Sequence, residues 1–122
     1  MSEALAERAK ERERRIQLGR EYVERLSARI PVVAAAVVGS VARGDFNVWS
    51  DVDVVVVAEE LPSRAPERSA VLAEDAPAGV QAVGFTPAEF REGLRRRNPL
   101  VLEAAEGGVV LRGLAFLEAV RS

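Results

Sequence analysis

Apolar residues fall along this chain in two periodicities, and the switches between them mark its elements. Through the first thirty positions they recur thinly, at Leu5, Ala9, Ile16, Val23, Leu26 and Ile30, a narrow stripe at helical spacing. Gly19 is the one glycine in that stretch and Pro31 its first proline, so a single helix is predicted over residues 2–29. Val32–Val38 (VVAAAVV) is apolar on both alternations and reads as a buried strand. Asp51-Val52-Asp53 leads into a second apolar run that ends at Val57. Residues 62–75 carry a helical middle with Ala70, Val71 and Leu72 as its apolar part, and Pro77-Ala78-Gly79 breaks it. Val80–Phe85 alternates as a third strand. Thr86-Pro87-Ala88-Glu89 is a capping box with proline at the first helical position. A helix is therefore predicted over 87–97, with Phe90 and Leu94 facing inward. Asn98-Pro99 opens a short helix to about 106, Gly107-Gly108 turns, residues 109–111 form a short edge strand, and a closing helix spans 114–120.

These elements imply a mixed α/β (α+β) domain with a small sheet of three to four strands flanked by helices. A strand–helix–strand unit is almost always a right-handed crossover between parallel strands, so the third strand should run alongside the second. The N-terminal helix would be about 42 Å long at 1.5 Å per residue, against about 35 Å for the width of a domain this size. Residues 16–30 should pack on the sheet, leaving the first dozen to fray or meet a partner. The charge run Lys10-Glu11-Arg12-Glu13-Arg14-Arg15 reads as a solvated helix held by i,i+4 pairs, with RNA contact as the alternative. Residues 1–122 form one domain, residues 1–30 as the N-terminal helix and 31–122 as the mixed-sheet core.

The chemistry gathers between the first two strands. Side chains on a strand repeat every two residues, so Asp51 and Asp53 share a face, roughly 6–7 Å apart along the strand. Two like charges there repel and are costly to bury bare. A hard divalent cation bound by oxygen relieves both costs, Mg²⁺ first and Mn²⁺ as the alternative. Gly39-Ser40 follows the first strand and the aspartates open the second, so these ends meet only if the strands are antiparallel. Gly39 permits close backbone approach, and Ser40-Val41-Ala42-Arg43 can open a short helix whose free N–H groups face an anion. A phosphate cradle facing a metal site is the minimum equipment for metal-assisted phosphoryl or nucleotidyl transfer. Taken singly, Gly-Ser reads as a turn and Asp-x-Asp as a solvated strand entrance; jointly, the turn reading leaves the shared carboxylate face unexplained.

The full stretch GSVARGDFNVWSDVDVVVV resembles the signature of the polymerase-β-type nucleotidyltransferases. It is especially similar to the minimal nucleotidyltransferases, short proteins often paired with a HEPN-domain partner. The matching points are Gly39, Ser40, Ala42, Arg43, Gly44, Ser50, Asp51 and Asp53, and the resemblance covers roughly residues 32–113. It implies a polymerase-β-like fold and transfer of NMP, AMP from ATP being the first expectation among NTPs, to a hydroxyl acceptor. Asp51 and Asp53 would be the catalytic metal ligands. Gly39, Ser40, Arg43 and Ser50 would bind the nucleotide. The resemblance also implies a third carboxylate on the strand after the crossover, and Gln81 stands at that position. An amide cannot take a proton as a general base, so an alternative is a nucleotide-binding antitoxin or interaction subunit of low or no activity. Glu74 and Asp75 are the nearest acidic substitutes; otherwise they belong to a helix-end loop.

Composition narrows the chemistry further. With no cysteine and no histidine in 122 residues, disulfides, zinc clusters and imidazole catalysis are excluded. A net charge of −2 supplies no global polycation for duplex binding. No apolar run approaches a membrane span, and no signal-peptide core is present, so a cytoplasmic protein is expected. Of the 17 basic residues only Lys10 is lysine, which suits a hot environment or a GC-rich genome equally. Phe46 and Trp49, inside the motif loop, are expected to pack it against the domain. Arg95, Arg96 and Arg97 complement a helix C-terminus or contact a triphosphate or RNA. Expected partners are an NTP and a HEPN-type protein or a second copy.

Overall fold

The computed structural model describes residues 2–121. Helix α1 (Glu3–Ser27) starts where the Ser2 hydroxyl accepts a hydrogen bond from the Leu5 N–H at 3.1 Å, satisfying one of the free donors of the first turn. Strand β1 (Val32–Val38) runs into the five-residue helix α2 (Gly39–Arg43), and strand β2 (Val52–Ala58) follows. Helix α3 (Ala65–Ala73) crosses to strand β3 (Val80–Phe85). Helices α4 (Pro87–Arg95) and α5 (Pro99–Leu102), a π-helical turn (Glu103–Gly107), strand β4 (Val109–Arg112) and helix α6 (Leu114–Arg121) complete the chain.

The four strands lie in the order β3-β2-β1-β4. β1 pairs antiparallel with β2 and with β4, and β2 pairs parallel with β3. These are the orientations that the motif and the crossover require. Because β1 and β2 are buried on both faces, they carry valine and alanine at every inner position, as strands covered on both sides must.

One face carries Val52, Val54 and Val56 against Ile16, Tyr22, Val23 and Leu26 of α1 and Leu72 of α3. The other carries Ala34, Ala36, Val38, Val55 and Val57 against Phe90, Val101, Ala104 and Leu117. Gly19 lets α1 lie close to the sheet, since a Cβ there would stand 3.3 Å from Val37 Cγ2. Buried Tyr22 donates its hydroxyl to the Leu72 carbonyl at 2.7 Å, tying α1 to α3.

Four expectations are corrected. The helix predicted over 87–97 ends at Arg95, and Arg97 takes a positive φ of 58°. The helix predicted to 106 gives way after Leu102 to the π-helical turn. The first dozen residues do not simply overhang the core: Arg12 bonds two carbonyls of α2, and Arg8 reaches the loop that follows it. Phe46 is buried, but Trp49 is 89% exposed and does not pack the loop onto the domain.

Candidate nucleotide and metal site

The register explains how the motif closes on itself. Val38 stands opposite Asp53 in the antiparallel β1–β2 pair, so the residue after Val38 lies beside the Asp53 side chain. Gly39 has a φ of +72°, and a Cβ built on it would lie 2.7 Å from Asp53 Oδ2. Any other residue would be strained in its backbone and would force the Asp53 carboxylate to shift. Glycine is therefore required here twice over, and the two halves of the motif are in contact.

Asp51 precedes β2 and is exposed, whereas Asp53 is half-buried. Burial pushes the Asp53 carboxyl above the usual carboxylate range, the charges of Asp51 and Glu103 push it further, and Arg43 opposes them. The site thus has an excess of negative charge. Arg43 bonds Glu103 at 3.1 Å and Asp45 at 3.3 Å. Ser40 is the second residue of α2, and its carbonyl accepts the N–H of the capping residue Gly44 at 2.8 Å. The Ser50 hydroxyl accepts from the Asn47 N–H at 3.0 Å, and the Asn47 side-chain oxygen accepts from the Trp49 N–H at 2.8 Å. Ser50 therefore closes the turn that delivers Asp51.

Gln81 stands directly beside Asp53 in the parallel β2–β3 register, exposed on the same face. The neutral amide occupies the position where the resemblance implies a carboxylate. Asp75 does not substitute. It accepts two hydrogen bonds from Arg29, at 2.8 and 2.5 Å, and Glu74 pairs with the same guanidinium at 2.6 Å. Both follow α3, which packs on the opposite face of the sheet. Arg95 and Arg96 each pair with Glu92, in keeping with a helix terminus.

Sequence reasoning missed Glu103. Its signal lay in the pairing of β4: Val109 stands opposite Val37, so the residues just before β4 arrive at the Gly39 end of the sheet. The π-helical turn that begins at Glu103 is a local irregularity of a kind frequent at functional sites.

The donor set was tested for a divalent ion by its chemistry. Among the described residues no group of three or more His, Cys, Asp or Glu side chains is gathered to hold a metal. A dedicated protein cage is thus absent from that set. Mg²⁺, however, is usually held by one or two carboxylates together with substrate phosphates and water. Asp51 and Asp53, two like charges on one face with Gly39 against one of them, fit that mode.

Comparison with known proteins places the chain in a family and matches its fold. The sequence profile of the nucleotidyltransferase domain matches residues 20–82, more than half of the chain. No curated protein matches. A crystal structure of a candidate nucleotidyltransferase from Sulfolobus solfataricus matches with a TM-score of 0.63 at 21% identity, covering 84% of each chain. That likeness is one of fold. Among the described residues no helix is long and apolar enough to cross a membrane.

Proposed function

The chain belongs to the nucleotidyltransferase-domain family, and on that premise we propose that it binds an NTP with Mg²⁺ and transfers NMP, AMP from ATP first among the options, to a hydroxyl acceptor. The carrying observation is the contact of Gly39 with the Asp53 carboxylate, which joins the phosphate-facing turn to the carboxylate pair. Asp51 and Asp53 would hold the metal, which when bound supplies charge neutralisation at the phosphates. Gly39 and Ser40 would present backbone N–H groups to the phosphates, and Arg43 would add its guanidinium. Arg43 sits between Asp45 and Glu103, so an incoming triphosphate competes with two carboxylates for it. Ser50 contributes by holding the turn before Asp51.

A second reading is favoured by one observation, the neutral Gln81 beside Asp53. With no carboxylate there to accept the proton of an attacking hydroxyl, binding outlasts turnover. The protein then acts as a nucleotide-binding subunit that works by contact with a partner, a HEPN-type protein or a second copy.

The nucleotide site is tested by calorimetric titration of ATP with MgCl₂ into the wild type and into the double variant Asp51→Asn/Asp53→Asn. Binding is expected to vanish in the variant while its fold persists. Apo stability should hold or rise, because two mutually repelling charges are gone. Equal affinity in the two proteins would overturn the assignment.

A further inference from the structure

The charged N-terminal half of α1 is built into the site rather than left to solvent. Arg8, Arg12 and Arg15 are spaced so that one face of the helix presents all three. Arg12 donates from Nε to the Val41 carbonyl at 2.9 Å and from Nη2 to the Ala42 carbonyl at 2.8 Å. Arg8 donates to the carbonyls of Gly44 at 2.8 Å and Phe46 at 2.6 Å. Arg15 donates to the Ser50 carbonyl at 2.9 Å. The guanidinium groups of Arg8 and Arg15 also lie over the Phe46 ring, 4.3 and 4.8 Å from its centre.

Each of these acceptors lies on the segment between the phosphate-facing turn and Asp51. A five-residue helix such as α2 is far below the length at which a helix holds itself together in water. Its last carbonyls have no partners within it. Burial of Val41 in the core anchors one side of the helix, and Arg12 holds its last turn by bonding two successive carbonyls with one rigid fork.

We propose that Arg12, assisted by Arg8 and Arg15, is a positioning residue that sets the spacing between the Gly39–Ser40 turn and Asp51. This rests on the nucleotide reading for its consequence, but the positioning itself can be observed without ligand. The loop carries the chain's single tryptophan, Trp49, at 89% exposure. Excited selectively, it reports this loop through its fluorescence anisotropy, read against the tumbling of the whole chain.

Four proteins separate the possibilities: wild type, Arg12→Ala, Arg12→Lys and, as a charge control, Lys10→Ala on the same helix. Circular dichroism first establishes that each folds. In Arg12→Ala, Trp49 anisotropy should fall and amide exchange over residues 44–50 should speed at least ~10-fold. Affinity for ATP with MgCl₂ should drop about 10-fold, or ~1.4 kcal/mol. Arg12→Lys should behave like Arg12→Ala, because an ammonium cannot bridge two carbonyls as a planar fork does. A role through charge alone would be rescued by lysine, and that rescue overturns the proposal. Unchanged exchange and anisotropy in a folded Arg12→Lys overturn it too, whatever happens to affinity. If the wild type itself binds no ATP with MgCl₂, the nucleotide reading fails, while anisotropy and exchange in the loop still support or overturn the positioning role.

Discussion

Asp53 and Gln81 stand side by side across the parallel β2–β3 register, a carboxylate next to a neutral amide. Replacing Gln81 by Glu restores a proton acceptor at that place. General-base help is typically worth 10²–10⁴-fold, so Gln81→Glu should raise nucleotidyl transfer at least ~10-fold and leave ATP affinity within a few-fold. A wild type already as fast as the variant in a labelled-ATP assay would locate the base elsewhere, with Glu103 the first residue to examine. Tyr22 offers a cleaner titration. Burial pushes its hydroxyl up to about 12, and the chain has one tyrosine and one lysine. The folded state holds this proton more tightly than the unfolded state. Its stabilising contribution is therefore complete below about pH 10 and is lost as the pH rises through about 12. Urea midpoints of the wild type should fall across that window, and those of Tyr22→Phe should fall less. At pH 7 the same substitution removes the bond to the Leu72 carbonyl and should cost about 1 kcal/mol, lowering Tm by roughly 4 °C. A variant with the wild-type alkaline slope would show that some other group carries the limb.

Helix α4 begins with both arms of its capping box in place: the Glu89 N–H donates to the Thr86 hydroxyl at 3.2 Å, and Glu89 accepts from the Thr86 N–H at 2.9 Å. Arg68 adds an ion pair to Glu89 at 2.6 Å, linking α3 to α4. That guanidinium, ahead of the Thr86 bonds, holds the Glu89 carboxyl below its usual range. A depressed carboxylate stabilises the fold above its unfolded pKa, and that contribution disappears as the pH falls through the folded value. Glu89→Gln keeps the box but removes the charge. It should lower stability slightly at pH 7, by a few tenths of a kcal/mol for a pair whose carboxylate is open to solvent, read as a small fall in the urea midpoint. The difference should close as the pH falls through the lowered Glu89 value; one that persists undiminished in acid would exclude the ion pair as its source. This element was legible in the sequence because capping is local chemistry: Thr86, Pro87 and Glu89 lie within four residues. The strands were legible too, since VVAAAVV has no face to offer water. Elements fixed from outside were not. The π-helical turn after Leu102 buries Ala104 and Ala105 in the core on one face of the sheet, and no local signal in residues 103–107 announces it. Glu103 could be placed only once β4 was known to start opposite Val37.

At the scale of the whole molecule, the carboxylate pair and its glycine were readable from spacing alone, whereas the arginines of α1 that grip the motif loop were read as a solvated face. Charge runs look alike whether their partners are water or backbone carbonyls some thirty residues away, as those of Arg12 are. Removing residues 1–14 tests the difference. The buried part of α1 begins at Ile16, so the sheet core should survive by circular dichroism. Arg8 and Arg12 would be gone, and the anisotropy of Trp49 should fall. Leu5, 58% exposed on that half-helix, is the apolar group whose loss should weaken association with a second copy or a HEPN-type partner. Unchanged anisotropy together with unchanged light scattering would refute both roles. The strand order β3-β2-β1-β4 has a further consequence, in the order of synthesis. β1 is followed soon afterwards by β2, but its other edge waits for β4, which comes only after β2, β3 and the helices between them. Until then the most uniformly apolar strand of the protein presents an open row of backbone donors and acceptors, the template on which chains pair with one another. A chain halted before Val109 should therefore precipitate as β-rich aggregate rather than remain as a dispersed, incomplete domain.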